Sequence, residues 1–343
     1  MCIRDSTCDR LGLLHFSAAA VAQLIEDNHR QAGDQTRQSA LVGLTEAWVL
    51  ESHAQAQARG AALVEAQDVQ AARQARWARL AGLETLVQDT IASGERLLVV
   101  SGERIAQVNG LTVMDLGDHS FGVPVRVTAR SFAGDEGLLN IEREVEMSGP
   151  IHDKGVLILH SYLAGLFAHI APLSMNAAVV FEQEYGGVEG DSASCAELYA
   201  LLSSLSGVPL RQGIAVTGAV NQHGDLLPVG SINEKIEGYF RSCELLGLDG
   251  QQGVLMPARN RRHLMLAPHV VQAVAQGRFH IHVADQVGDG LSLLTGLPYG
   301  QWGPGGYAPG SVLGRVQITL QRFRHACELL ASHRAKGRRR SSR

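Results

Sequence analysis

A change of hydrophobic period near residue 86 divides this chain and limits what it can fold into. Before it, apolar residues recur at helical spacing: Ala20, Leu24 and Ile25, then Leu41, Leu44, Ala47 and Trp48, then Leu63, Val69 and Ala72. Asp34 and Gly60 fall between these stripes, where turns belong. Residues 17–83 therefore predict a bundle of three or four helices within an all-α domain over 1–88. After Leu86 the pattern turns to short apolar runs, expected as strands at 97–100, 105–108, 113–116, 123–128, 138–145, 177–181, 213–217, 226–229, 253–256 and 279–283. Helices are expected over 194–206, 235–246 and 261–276, and 155–159 reads as a strand or the start of a helix. Alternating strands and helices make residues 89–298 an α/β (α+β) domain. Residues 1–10 lack periodicity and read as a disordered or non-native leader. Residues 299–343 read as a Gly/Pro linker, a short helix over 312–330 and a solvated, disordered basic tail ending in Arg338, Arg339, Arg340 and Arg343.

Composition narrows the function classes. A chain of 343 residues can bury two cores, and a net charge of −4 gives no reason to expect nucleic acid or a membrane surface as partner. Five scattered cysteines without a CxxC pair point to a reducing compartment. No apolar run reaches the roughly 18 residues of a membrane helix, and the N-terminus lacks a signal-peptide core. A cytoplasmic location follows. Of 30 lysines and arginines only three are lysine: Lys154, Lys235 and Lys336. Arginine stays protonated, whereas a buried lysine can lose its proton and act as a base.

Two stretches carry that chemistry. Gly186-Gly187-Val188-Glu189-Gly190-Asp191-Ser192-Ala193-Ser194 puts a serine among small residues directly before a helix, where backbone N–H groups can face an oxyanion. Ser231-Ile232-Asn233-Glu234-Lys235-Ile236-Glu237-Gly238 holds a lysine between glutamates. A neutral lysine amine can take the proton of a serine hydroxyl if burial lowers its pKa. Thr217, at a strand end, is a candidate hydrogen-bond partner for that amine. The Gly-Asp-Ser turn also reads as a plain helix cap.

Other chemistry-bearing residues have simpler readings. The fourteen histidines include no HExxH, and no metal is expected. His160 and His169 read as core or surface residues of a helix, and His280 and His282 as the polar face of a strand. Cys195 is a minor candidate nucleophile. Glu142 and Glu144, two apart on the expected strand, share a face toward solvent or arginine, and Lys154 reads as a surface residue.

The quoted motifs resemble the proteolytic domain of Lon-family ATP-dependent serine proteases, in particular the LonB-like branch. The resemblance rests on residues 188–194, Ala215-Val216-Thr217-Gly218 and residues 233–238, with 43 residues from Ser192 to Lys235. It extends to Gln107-Val108-Asn109-Gly110-Leu111, Asn140-Ile141-Glu142-Arg143-Glu144 and His152-Asp153-Lys154-Gly155-Val156-Leu157, covering about 90–298. It implies Ser192 as nucleophile, Lys235 as general base, Thr217 in support of the lysine, and Asp191 and Glu189 in regulatory or structural roles. Ser231 replaces a customary glycine, and Ala219 a common serine. The helices at 17–83 resemble the lid of AAA+ Lon-like proteins, with Arg30 or Arg37 as a sensor arginine. None of the three lysines follows a glycine, so no phosphate-binding P-loop is present and the nucleotide-binding core is expected to be missing. The chain then needs no cofactor of its own, while ATP and Mg²⁺ are implied for the full-length protein. The resemblance further implies a homohexamer degrading unfolded or damaged proteins. The alternative is a non-catalytic, ring-forming scaffold of an AAA+ assembly.

Overall fold

The computed structural model describes residues 2–117, 119–171 and 173–341. It opens with five helices: α1 (Cys2–Leu11), α2 (Ala18–Ala32), α3 (Val42–Ala58), α4 (Ala66–Leu80) and α5 (Gly82–Ala92). Ser17 caps α2 by accepting from Ala20 N at 3.2 Å, and Gly33 ends it in the left-handed region with φ 59°. Cys8, Phe16, Ala20, Leu24, Val49, Ala56, Val64 and Val69 form the bundle core. Of residues 1–10, expected to be disordered or non-native, the described ones belong to helix α1, whose Cys8 is buried in that core. Leu41 is not part of the α3 stripe: it precedes the helix and is exposed, while Val49, Ser52 and Ala56 face inward. Helix α5 leaves the bundle, since Val87 and Ile91 pack on Phe121 and Val123 of the following domain.

The next domain runs through β1 (Glu103–Arg104), β2 (Gln107–Asp115), β3 (Ser120–Ala133), β4 (Gly137–Asn140), α6 (Ile141–Glu144), α7 (Pro150–Leu166) and β5 (Met175–Glu182). It continues with α8 (Ser194–Ser206), β6 (Leu210–Arg211), β7 (Ile214–Val216), β8 (Ala219–Val220), β9 (Leu226–Leu227), α9 (Ile232–Leu246) and β10 (Gly253–Pro257). It closes with α10 (Pro268–Ala275), β11 (His280–Ala284), α11 (Val287–Thr295), β12 (Trp302–Gly303), β13 (Gly306–Tyr307) and α12 (Val312–Ser341). Seven strands form one mixed sheet in the order β11-β10-β7-β2-β3-β5-β4. The β11, β10, β7 and β2 neighbours are parallel, β3 is antiparallel to β2 and β5, and β4 is parallel to β5. Strand β5 alternates as the period of two demands, burying Met175, Ala177, Val179 and Phe181.

Two helices flank this sheet. Helix α8 is buried nearly all round, its Leu198, Leu201, Leu202 and Leu205 sharing a core with Val127, Val216 and Leu255. Helix α9 packs Ile232, Ile236, Tyr239 and Phe240 against Leu111, Ala215, Val254 and Met256. Consecutive residues of β7 thus face different helices.

Several expected elements change. The strand at 138–145 stops at Asn140, whose Oδ1 accepts from Arg143 N at 3.0 Å and starts the α6 turn. Residues 155–159 belong to helix α7, and 97–100 are not a strand. The helix at 261–276 is two pieces, a 3₁₀ segment over Ala258–His263 and α10. Pro268 holds Ala267 extended, which separates them. Residues 299–341 hold strands β12 and β13 and one long helix in place of a linker and a short helix. Val312, Leu313, Val316 and Leu320 enter the α8 core, and the helix continues past Leu330 to Ser341. Arg343 lies outside the described residues.

Candidate active site

Ser192 lies in the loop between β5 and α8, half-buried. Three residues of that loop, Gln183, Gly187 and Gly190, have positive φ, which lets the chain turn tightly enough to enter α8. The loop is pinned to the end of β7. Gly218 N donates to Ser192 O at 2.8 Å, Cys195 N donates to Gly218 O at 3.1 Å, and Thr217 Oγ1 donates to Ser192 O at 3.3 Å. The amides of Ser194 and Cys195 are therefore already engaged, the former on Asp191 O at 3.1 Å.

Lys235 sits in the first turn of α9. Ser231 precedes the helix at φ 52° and ψ 38°, a left-handed conformation that explains why glycine is customary there. The helix lies backbone-to-backbone on β3. A Cβ at Gly122 would collide with Glu234 O and the Lys235 Cα, and one at Gly238 with Gly122 O. Asn233 Nδ2 donates to His263 O at 2.9 Å and its Oδ1 accepts from Met265 N at 2.6 Å. Asn233, Glu237 and Gly238 thus dock the helix, and Lys235 is left to reach inward.

The Lys235 Nζ lies 2.8 Å from Ser192 Oγ and donates to Thr217 Oγ1 at 3.2 Å. The lysine is only 4 % exposed and Thr217 is wholly buried. Burial pulls the lysine pKa down from 10.5 to about 8, opposed by the negative charge of Asp191. Asp191 therefore acts on the lysine through its charge. Glu189 turns away: its Oε1 accepts from Gly190 N at 3.1 Å, and its carboxylate fills the space where Gly149 has no Cβ.

The remaining expected residues lie elsewhere. Arg30 makes a two-pronged ion pair with Glu237, at 2.6 and 2.7 Å, and donates to Met265 O at 3.0 Å, so it ties the bundle to α9. Arg37 is exposed, 3.9 Å from Asp34. Cys195 is fully buried and its thiol is pushed up to about 12 by burial, which removes it as a nucleophile. His160 and Lys154 are exposed, His169 contacts Trp302 and Gln317, and His280 pairs with Gly250 O at 2.8 Å. No group of three or more His, Cys, Asp or Glu side chains able to hold a metal occurs among the described residues.

The sequence reading missed one cluster. Because α6 is a helical turn, Glu142 and Glu144 do not share a face: Glu144 is exposed, while Glu142 is buried and accepts from Phe181 N at 2.7 Å. Glu197 of α8 accepts from Asn140 Nδ2 at 3.0 Å and lies 3.7 Å from His152 Nε2. Burial, then the Glu142 charge, pushes the Glu197 carboxyl up to about 8, and burial lowers His152. A glutamate between Ala196 and Leu198 on an apolar helix was the available signal.

Residues 15–79 match a family model described as the archaeal LonB AAA+ ATPase LID domain, and residues 186–295 match the Lon protease (S16) C-terminal proteolytic domain. The chain is 44 % identical over 213 residues to a putative Lon protease homolog of Escherichia coli (strain K12), covering 62 % of this chain and 36 % of that protein. A putative Lon protease homolog of Haemophilus influenzae is 39 % identical over 197 residues, covering 57 % of this chain and 33 % of that protein. The archaeal Lon protease of Methanothermobacter thermautotrophicus is 31 % identical over 260 residues, covering 74 % and 37 %. The chain thus spans about a third of the length of the curated relatives it matches. With a LID-type bundle joined to a Lon-type proteolytic domain, this chain belongs to the Lon protease family.

Proposed function

We propose that Ser192 and Lys235 are the nucleophile and general base of a serine endopeptidase that cleaves unfolded or damaged protein chains. The observation carrying this reading is the 2.8 Å approach of a buried lysine amine to Ser192 Oγ. With a pKa near 8, the amine is in part neutral at physiological pH. Its lone pair takes the Ser192 proton as Oγ attacks the scissile carbonyl carbon, and the ammonium then gives that proton to the leaving amine. Water, deprotonated by the same amine, releases the acyl group and restores the serine. Thr217 and Asp191 steady the amine and its charge. Since the Ser194 and Cys195 amides are engaged, the oxyanion is met by N–H groups earlier in the turn.

In its full-length context the domain works in an ATP-dependent, cytoplasmic homohexamer for protein quality control, with Mg²⁺-ATP bound outside this chain. The reading is tested by casein hydrolysis with the wild type, Ser192→Ala and Lys235→Ala. Loss of activity in both variants, with native circular dichroism, supports it. Activity surviving Ser192→Ala refutes it. A folded wild type that neither cleaves nor accepts an acyl group supports the scaffold reading instead.

A further inference from the structure

Between the helical bundle and the sheet domain lies a cavity of about 720 Å³, within the range of small-molecule sites. Trp48, Arg73, Arg76 and Trp77 line its bundle side, and Glu237 and Arg241 of α9 line the other. Arg76 stands over the Trp48 ring at 5.4 Å and Arg241 over the Trp77 ring at 5.2 Å. The carboxylates on these walls are already matched. Glu237 receives both prongs of Arg30, Glu234 lies 3.9 Å from the same guanidinium, and Glu84 pairs with Arg241 and, at 2.8 Å, with His119.

Arg73 and Arg76 differ. Their partners, Asp27 at 3.0 Å and Glu51 at 2.9 Å, are not part of the cavity wall. A guanidinium carries five donors and a carboxylate engages at most two of them, so both arginines keep donors at the wall. Unmatched donors beside large ring faces call for a ligand with an anionic head and a flat apolar body.

We propose that this cavity binds a small aromatic anion, a planar ring carrying a phosphate or carboxylate. The anion sits on Arg73 and Arg76, and the ring lies against Trp48 and Trp77. Gly122 and Gly238, the pair on which α9 rests, line the same cavity. An occupant there bears on the seat of the helix that carries Lys235. This coupling rests on the dyad reading; the binding does not.

Isothermal titration calorimetry of the chain with 1-naphthyl phosphate tests the binding, with inorganic phosphate and 1-naphthol as comparisons. One saturable site is expected, weakened about tenfold or more by omitting ring or anion and by Arg76→Gln. Gln74 is exposed on the cavity wall, so Gln74→Trp fills the space while leaving the ion pairs intact, and is expected to abolish binding. Absence of binding at millimolar ligand, equal affinity for inorganic phosphate, or unchanged binding by Gln74→Trp overturns the proposal. Saturating ligand is also expected to alter the rate of Ser192 acylation in wild type but not in Gln74→Trp. An unchanged rate with intact binding removes the coupling alone. A wild type that is never acylated refutes the dyad, and the calorimetry still decides the site.

Discussion

Replacing Lys235 by methionine removes a buried charge and keeps most of the side-chain volume. The folded-state pKa near 8 against the ordinary 10.5 means that the unfolded chain binds the Lys235 proton more tightly. Stability therefore rises with pH through the window from about 8 to 10.5, and the protonated lysine is a full burden below it. A shift of 2.5 pK units corresponds to about 3 kcal/mol at pH 7, most of it relieved by pH 10. The methionine variant is exempt from this dependence, while the hydrogen bonds it forfeits to Ser192 and Thr217 matter about equally at both pH values. The stability of Lys235→Met relative to wild type is thus expected to fall by about 2–3 kcal/mol from pH 7 to pH 10. Urea unfolding of both proteins at the two pH values measures the gap. A gap that stays constant, or one that shifts in favour of Lys235→Met as pH rises, refutes a buried lysine with a depressed pKa.

Other perturbations probe the supports of the site. Gly238→Ala has no room for its Cβ and is expected to lose about 1–3 kcal/mol and to slow Ser192 acylation, whereas Gly230→Ala, in open space, leaves both unchanged. Equal melting temperatures for the two variants would contradict the close approach of α9 to β3. Ser231→Gly is expected to stabilise by up to about 1 kcal/mol and Ser231→Val to destabilise, in thermal melts, because the position is left-handed. Glu197 is raised from 4.5 to about 8, so the stability its protonated form contributes is present below pH 4.5 and lost as pH rises through about 8. Glu197→Gln mimics the protonated carboxyl and is expected to out-melt wild type at pH 8.5, with a smaller gap at pH 5; a larger gap at pH 5 would contradict this.

What was legible in the sequence is what short-range chemistry dictates. Helix α8 starts and stops where its apolar face and Gly207 require, and Ser192, Thr217 and Lys235 meet as their motifs indicate. What was not legible is decided by distant partners. Nothing local in residues 2–11 announces that Cys8 is buried in the bundle core, or that Val312 and Val316 belong beside α8. Glycines in strands misled in the other direction. The strands expected at 105–108 and 113–116 give way to one strand, β2, that runs through Gly110, and β3 starts ahead of the expected 123 and runs through Gly122, where α9 comes too close for a side chain. The expected strand at 138–145 failed on one cap, the Asn140 side chain. With that turn goes the reading of Glu142, which is buried and accepts from Phe181 N. Arg30 is held by Glu237, a partner 207 positions away that no local pattern announces.

The most direct test of the dyad is the pH dependence of Ser192 acylation by a fluorophosphonate, followed by intact mass and peptide mapping. A single adduct on Ser192 is expected, forming faster as pH rises with an apparent pKa near 8, and failing to form at a comparable rate in Lys235→Met. An adduct on another residue, or a Ser192 adduct whose rate ignores both pH and the loss of Lys235, would contradict the account.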